Sequence, residues 1–440
     1  MNKDMSNLAS WTLQMAKKAG ANECRIEMRN SRIIDIEYRQ QKPDSIKEAS
    51  KKSLSIDIYA EGGYSRQQTS DLRQGALQTF IENAVKTTKL LAEDPYRSLP
   101  DPKYFEKISK HDLKVYDKSY EDVTPQMRHD LAKNIEKACW ESGGDRVISV
   151  SAYTGDTRQE SLMITSNGFE GYQKNTYFQA FSEMTVQDEG DRRPTNYYYI
   201  TSTSRNKILQ PQKIGKETAR RTLNLLGGKK IKTETLPIIV ENRVVPRILQ
   251  GCLEAMSGSN IQQEQSFLAD KKGEKIASDR FTLIDDPFIS GGLGSRLYDS
   301  DGMATKKRTI VDNGILKDFY IDWYYSRKLG WEPTSGEHSN LVISPGKRSV
   351  KQIMKDLDRG ILITGFIGGN SNSTTGDFSV GISGQLFEEG EFTQTIAEMN
   401  IADNHMEFWG KLAEVANDPW LYSTYHTPSL VFSDIVVSGT

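Results

Sequence analysis

Three features of this 440-residue chain predict an α+β fold in two domains. Helical and alternating patterns succeed one another up to Gly228, and short strands with tight turns dominate from there to the end. The length suffices for more than one hydrophobic core. The composition, 36% hydrophobic and 26% charged, is that of a globular protein rather than a disordered one. The expected division is an N-terminal α/β domain over 1–228, with antiparallel strands packed by helices, and a mostly β domain over 229–440. Lys229, Lys230 and Lys232 mark the join as a solvated linker.

In the first half, Leu8, Trp11, Leu13, Met15 and Ala16 predict an amphipathic helix over 6–19, stopped by Gly20. Strand patterns follow over 24–38 and 54–60, with a turn at Glu61-Gly62-Gly63, and then a helix over 71–91. Pro95, Pro100 and Pro102 mark 94–116 as a surface loop. Thr124-Pro125 opens a third helix through Trp140, and strands follow, two of them joined by a Ser166-Asn167-Gly168 hairpin. Tyr197, Tyr198 and Tyr199 read as one face of a sheet, with a binding platform as the alternative. A helix over 214–226 completes a pattern of helix, strands and helix that occurs twice, a hint of internal duplication.

The second half opens with a strand, TLPIIVENRVV, and then a helix. Ile248, Leu249, Cys252, Leu253 and Met256 fall near a 3.6-residue period, Pro246 suits the first turn, and Gly258 is the expected stop. Beyond Phe281 come short strands, with hairpin turns at Asp312-Asn313-Gly314 and Glu389-Gly390. A short helix over 350–359, a strand, a polar loop over 368–376, a helix over 405–413 and a terminal strand complete the chain.

Several function classes lose support at this level. The net charge of −2 gives no broad basic surface for a phosphate backbone. No apolar run approaches the ~20 residues that cross a bilayer. Residues 1–20, with Asp4 and no unbroken apolar stretch, do not read as a secretory signal, so a cytoplasmic location is expected. Cys24, Cys139 and Cys252 lie too far apart for a close-spaced metal motif or a disulfide framework, and Cys252 reads as a buried thiol. No Walker run or dinucleotide fingerprint occurs, and Gly291-Gly292-Leu293-Gly294-Ser295 reads as a flexible turn.

SFLADKKGEKIAS (266–278), LIDDP (283–287), YDSDGMAT (298–305), IVDNGILKDFYIDWYYSRKLG (310–330) and the terminal PSLVFSDIVVSGT resemble, in this order and spacing, the TldD/PmbA family, also called modulators of DNA gyrase. The resemblance runs through essentially the whole chain and implies an α/β N-terminal half and a largely β C-terminal half. It also implies a relation to zinc peptidases. In the TldD branch an H-E-x-x-x-H helix and a later cysteine hold zinc, and the motif glutamate serves as base. Here the resemblance puts the first histidine position on Leu249, the glutamate on Gln250 and the second histidine on Glu254. The late cysteine position falls within 414–418, where there is no cysteine.

Leu249 cannot ligate, Gln250 cannot accept a proton from water, and Glu254 is one ligand where zinc wants three or four. The chain is therefore similar to the PmbA branch, also called TldE, which pairs with TldD and lacks a metal centre of its own. No catalytic, cofactor-binding or metal-binding residue is expected, and zinc is expected only in a TldD-type partner. The expected partners are that metallopeptidase subunit and unfolded or small peptides, with a homodimer when the chain is alone and no nucleic acid or membrane. The polar segment 368–376 is the candidate lining of a peptide cavity. Two alternatives stay open: a metallopeptidase or other hydrolase with an unrecognised metal site, for which His338, His405, His426 and Glu254 are one possible set, and a gyrase modulator or DNA-associated regulator.

Overall fold

A computed structural model describes residues 3–439. In the N-terminal half, α1 (Lys3–Lys18), β1 (Glu23–Arg39), β2 (Lys42–Ala60), β3 (Gly63–Thr69) and α2 (Gln74–Thr88) are followed by α3 (Pro125–Gly143), β4 (Val147–Thr165), β5 (Glu170–Val186), β6 (Thr195–Ser202) and α4 (Pro211–Leu223). The six strands form one antiparallel sheet in the order β3-β2-β1-β4-β5-β6. That order is the same three-stranded meander laid down twice and joined through β1 and β4, so the doubled pattern in the sequence corresponds to a doubled architecture.

Period-two alternation puts Cys24, Ile26, Met28, Ile36 and Tyr38 on one face of β1, and the helices cover that face. The first core joins α1 and α2 to β1 and β2, and the second joins α3 and α4 to β4, β5 and β6. Thr124 caps α3 by accepting from Met127 N (3.2 Å), with Pro125 in the first turn. One turn on, buried Arg128 donates through Nε (2.5 Å) and Nη2 (3.1 Å) to the buried Asp156 carboxylate and through Nη1 to Val123 O (2.7 Å).

Two expectations need correction here. β2 begins at Lys42, not near Leu54, because 42–52 form an exposed arm whose lysines and polar residues carry no apolar alternation. The proline-marked segment 94–116 is not a free surface loop. It buries Leu99, Leu113 and Val115 and straps the halves together: Trp323 Nε1 donates to Ser98 Oγ (3.1 Å), and Tyr104 Oη to Glu332 Oε2 (2.9 Å).

In the C-terminal half, β7 (Glu234–Val240) leads into α5 (Val245–Ala255) and α6 (Gly258–Gln262). Next come β8 (Leu283–Asp285), β9 (Arg308–Asp312), β10 (Ile315–Leu316), α7 (Trp323–Leu329), β11 (Leu341–Ile343) and α8 (Val350–Leu357). The chain ends with β12 (Arg359–Ser371), β13 (Asp377–Glu388), β14 (Glu391–Asn404), α9 (His405–Gly410), β15 (Leu412–Val415), β16 (Tyr425–His426) and β17 (Leu430–Ser438). One sheet runs β14-β13-β12-β7-β17-β15. It closes on itself where Asn400 and Ile401 of β14 pair with Ser438 and Val437 of β17. A smaller sheet, β10-β9-β8-β11-β16, lies beside it. The hairpin turns stand where expected: Asn313 and Gly314 have φ of 47° and 79°, and Glu389 and Gly390 have 51° and 81°.

The apolar stripe of α5 (Val245, Ile248, Leu249, Cys252, Ala255) joins the core of this closed sheet together with Phe408, Trp409 and Phe432. The two halves also meet in charge. Arg25 donates through Nε to Asp57 Oδ2 (2.5 Å), and through Nη1 to Ser300 O (2.7 Å) and Asp301 Oδ1 (3.1 Å). Among the described residues no helix is long and apolar enough to cross a membrane.

Candidate functional site

The sheet order brings β7 between β12 and β17, so α5, which leaves β7 through Glu241-Asn242-Arg243-Val244, lies against the closed sheet. Pro246 occupies the first turn, as expected. Gly258 is not the stop. The helix closes at Ala255, and Ser257 caps α6 by accepting from Asn260 N (3.3 Å), with Gly258 opening that second helix. Gly258 fits there because a Cβ would lie 2.9 Å from Tyr325 Cβ.

The three positions that the family resemblance singled out separate on α5. Leu249 is 0% exposed and points into the core. Gln250 and Glu254, one turn apart on the outer face, are exposed, and Gln250 Nε2 donates to Glu254 Oε1 (2.9 Å). Successive helical residues point about 100° apart, so Leu249 does not share their face. The segment of the missing cysteine is structural: Arg348 Nε donates to Glu414 Oε1 (2.8 Å), Ala416 is buried, and Asp418 accepts from Ser429 N (2.9 Å) and Oγ (2.8 Å). A hydrolytic zinc site needs three N, S or O ligands and an open position. The three α5 positions provide one carboxylate, already bonded to an amide, and they do not fit the ion.

The histidines are also dispersed. His405 is buried between Phe267 and Phe378, and its Nε2 shares a hydrogen bond with Ser371 Oγ (2.9 Å). Gly251 of α5 packs directly on this pair, since a Cβ there would fall 2.3 Å from His405 Nε2. No carboxylate orients His405: its Nδ1 is buried without a partner among the described residues, and burial pulls its pKa down to about 4. A Ser–His nucleophile needs a basic, oriented imidazole, so this pair lacks the parts of one. His338 packs on Tyr425 and Tyr320, and burial holds it too at about 4. His426 belongs to β16, whose neighbour in the sheet is β11. Among the described residues no three His, Cys, Asp or Glu side chains gather where a metal could sit. Cys252 is a buried thiol with its pKa pushed up to about 12 by desolvation, the inert kind.

Beside the start of α5 lies an open cleft of about 540 Å³, between β6 of the first half and β12 and β14 of the second. Tyr197 and Tyr199 line it from β6, and Arg243 and Arg247 from the α5 side. Its other wall is β12 over Thr364–Ile367. β7 pairs with β12 only through Ile361–Ile363, and among the described residues no strand covers that edge of β12 over 364–371. An edge of this kind is a template for an added strand. The segment 368–376 is thus half strand: Gly368–Ser371 extend β12, and only the remainder is loop. Gly368 O accepts from Arg247 Nη2 (3.2 Å).

Tyr198 is buried in the core with α4, while Tyr197 and Tyr199 stack (6.3 Å between centroids) on the cleft side. Sequence reasoning passed over Arg243, inside a run read as strand. The polar Glu241-Asn242-Arg243 between two apolar stretches was the available sign of a turn.

Comparison with known proteins agrees with this architecture. Residues 233–439 match the PmbA/TldA metallopeptidase C-terminal domain, and 118–226, the second meander with its helices, match the central domain of the same family. The chain is 26% identical to a Haemophilus influenzae protein named metalloprotease PmbA homolog, over 99% of this chain and 96% of that one. It is 25% identical to metalloprotease PmbA of Escherichia coli O157:H7, over 92% and 90%. A Bacteroides thetaiotaomicron crystal structure, described as a candidate modulator of DNA gyrase, superposes with a TM-score of 0.97 at 36% identity over 100% of both chains. TldE from Thermococcus kodakarensis shares the fold, with a TM-score of 0.87 at 24% identity over 98% of this chain and 100% of that one. These matches define a metallopeptidase-related protein. The chain belongs to the PmbA/TldD family.

Proposed function

We propose that this chain is a non-catalytic subunit of a TldD-type zinc metallopeptidase, holding unfolded or small peptides for a partner that cuts them. The observation that carries the reading is the state of α5, where the ligand and base positions hold a buried leucine and an exposed glutamine–glutamate pair. Catalysis would then reside in the TldD-type partner together with its zinc, and this chain's part is binding and positioning. Two features suit that part. The edge of β12 over 364–367, beyond its pairing with β7, offers backbone donors and acceptors to an extended segment. The cleft beside it is lined by Tyr197, Tyr199 and Phe366, which give side-chain contact without demanding one sequence. Alone, the chain would pair with itself through the surface that otherwise takes the related partner. The two halves, 1–228 and 229–440, act in this reading as two domains, with the cleft at their junction.

The experiment is a peptidase assay on unfolded peptide with this chain alone, a TldD-type subunit alone and the two mixed, with zinc measured in each. The reading expects cleavage in the mixture and none from this chain by itself. Chelator-sensitive cleavage by this chain alone would refute it.

A further inference from the structure

Arg243 is a guanidinium with no salt bridge among the described residues, Glu241 acting on it only from a distance. Its Cζ lies 4.8 Å from the ring centroid of Tyr198, 5.3 Å from that of Trp420, 5.4 Å from Tyr199 and 5.7 Å from Tyr197. Its one hydrogen bond among the described residues is a long one, from Nη2 to Tyr197 O at 3.5 Å, and its Nε is buried with no acceptor. The nearby carboxylate is already taken: Glu241 accepts from Arg221 through both oxygens, and Arg221 also pairs with Glu217 (2.9 Å). Burial, and then the like charge of Arg221, disfavour the protonated form of Arg243.

The neighbourhood shares this imbalance. The cleft is lined by Arg192, Arg221, Arg243 and Arg247 against Glu241 and Glu398, four cations to two anions. Arg192 is paired with Asp188 (3.3 Å) outside the lining, and Glu398 faces Lys230 (3.9 Å). Arg247, exposed on α5, bonds only the carbonyl of Gly368 among the described residues. Two arginines on one side of the cleft therefore have no carboxylate among the described residues. A half-buried unpaired cation is costly, and the cost falls when a planar carboxylate meets the guanidinium fork with two charge-assisted bonds.

From this geometry we infer that Arg243, with Arg247 beside it, receives a carboxylate of the peptide held in the cleft. The inference rests on the peptide-holding reading and adds the chemistry of what is held: the peptide presents an anion to the Tyr197–Trp420 box. The carboxylate can come from the peptide's C-terminus or from an aspartate or glutamate side chain.

The test uses the full-length chain and three fluorescein-labelled, unstructured decapeptides of otherwise identical neutral sequence, read by fluorescence anisotropy. One has a free C-terminus, one is C-terminally amidated, and one is amidated with a central glutamate. Wild type is expected to bind at least one carboxylate peptide ~10-fold or more tightly than the neutral amide, as a charge-assisted pair supplies. The arm that gains identifies the source. Arg243→Gln should abolish the difference between the carboxylate peptides and the neutral one. Arg247→Gln, at an exposed position, should reduce it and serves if Arg243→Gln fails to fold. Equal binding of all three peptides overturns the carboxylate site and leaves peptide holding intact, as does discrimination that survives both variants. Failure of every peptide to bind overturns both.

Discussion

Gln250 and Glu254 hold each other across one turn of α5, amide to carboxylate at 2.9 Å, on the solvent side of a helix whose Leu249 is sealed in the core. At the positions that the family resemblance assigns to ligands and base, this relationship departs from a zinc site in two ways. The donors are of the wrong kind, and the position given to the first ligand does not face the other two.

The separation has a consequence for stability. Leu249→Ala should lower the unfolding free energy by ~2–5 kcal/mol, because it empties a packed site. Gln250→Ala and Glu254→Ala remove an exposed pair and should each stay within ~0.5 kcal/mol of wild type. Urea denaturation followed by tryptophan fluorescence measures all three. Similar losses at Leu249 and Gln250 would mean that both face the core.

The buried pair of Arg128 and Asp156 gives a second, sharper effect. Arg128→Ala leaves an ionised carboxylate in the core under α3 without its two donors and should cost ~3–5 kcal/mol. Replacing both residues, Arg128→Met with Asp156→Leu, removes the stranded charge and should recover a large part of that loss. A thermal melt of the single and double variants decides. A double variant no more stable than Arg128→Ala would show that the pair's charge is not the cause.

Acid should weaken the protein partly through His405. Burial holds its folded-state pKa down at about 4, against 6.5 for a free imidazole. Between those values the unfolded chain binds a proton that the folded chain does not. The group's contribution is therefore full above pH 6.5 and is lost as the pH falls towards 4. His405→Asn, which can still bond Ser371, should flatten the fall in stability across that window by up to ~3 kcal/mol. Urea titrations at pH 7, 5.5 and 4 on both proteins measure it, and parallel pH profiles would contradict the assignment.

Much of the fold was legible in the sequence because its signals are local. The Asn313-Gly314 and Glu389-Gly390 turns were visible from backbone chemistry, and α3 from Thr124-Pro125. The doubled helix–strand–helix order was readable as a hint, and the sheet order shows it as architecture. What escaped is what tertiary contact decides. The arm 42–52 has no apolar face to betray it, and closure of β14 on β17 is a long-range pairing. Gly258 reads as a helix stop, yet Ser257 turns it into a helix start. At the site, the exposure of Gln250 and Glu254 and their mutual hydrogen bond on α5 follow from their one-turn spacing. The burial of Leu249 was foreshadowed by its apolar spacing. The half-buried Arg243 box was not, because it needs β6, Trp420 and the turn after β7 brought together from three separate stretches.

The most direct measurement is the zinc content of this chain, purified alone, equilibrated with excess zinc and then dialysed exhaustively against metal-free buffer. The arrangement on α5 predicts far less than one zinc per chain and no change in melting temperature on adding the ion. One tightly held zinc per chain, released together with peptide-cleaving activity by a chelator, would contradict the account at its centre.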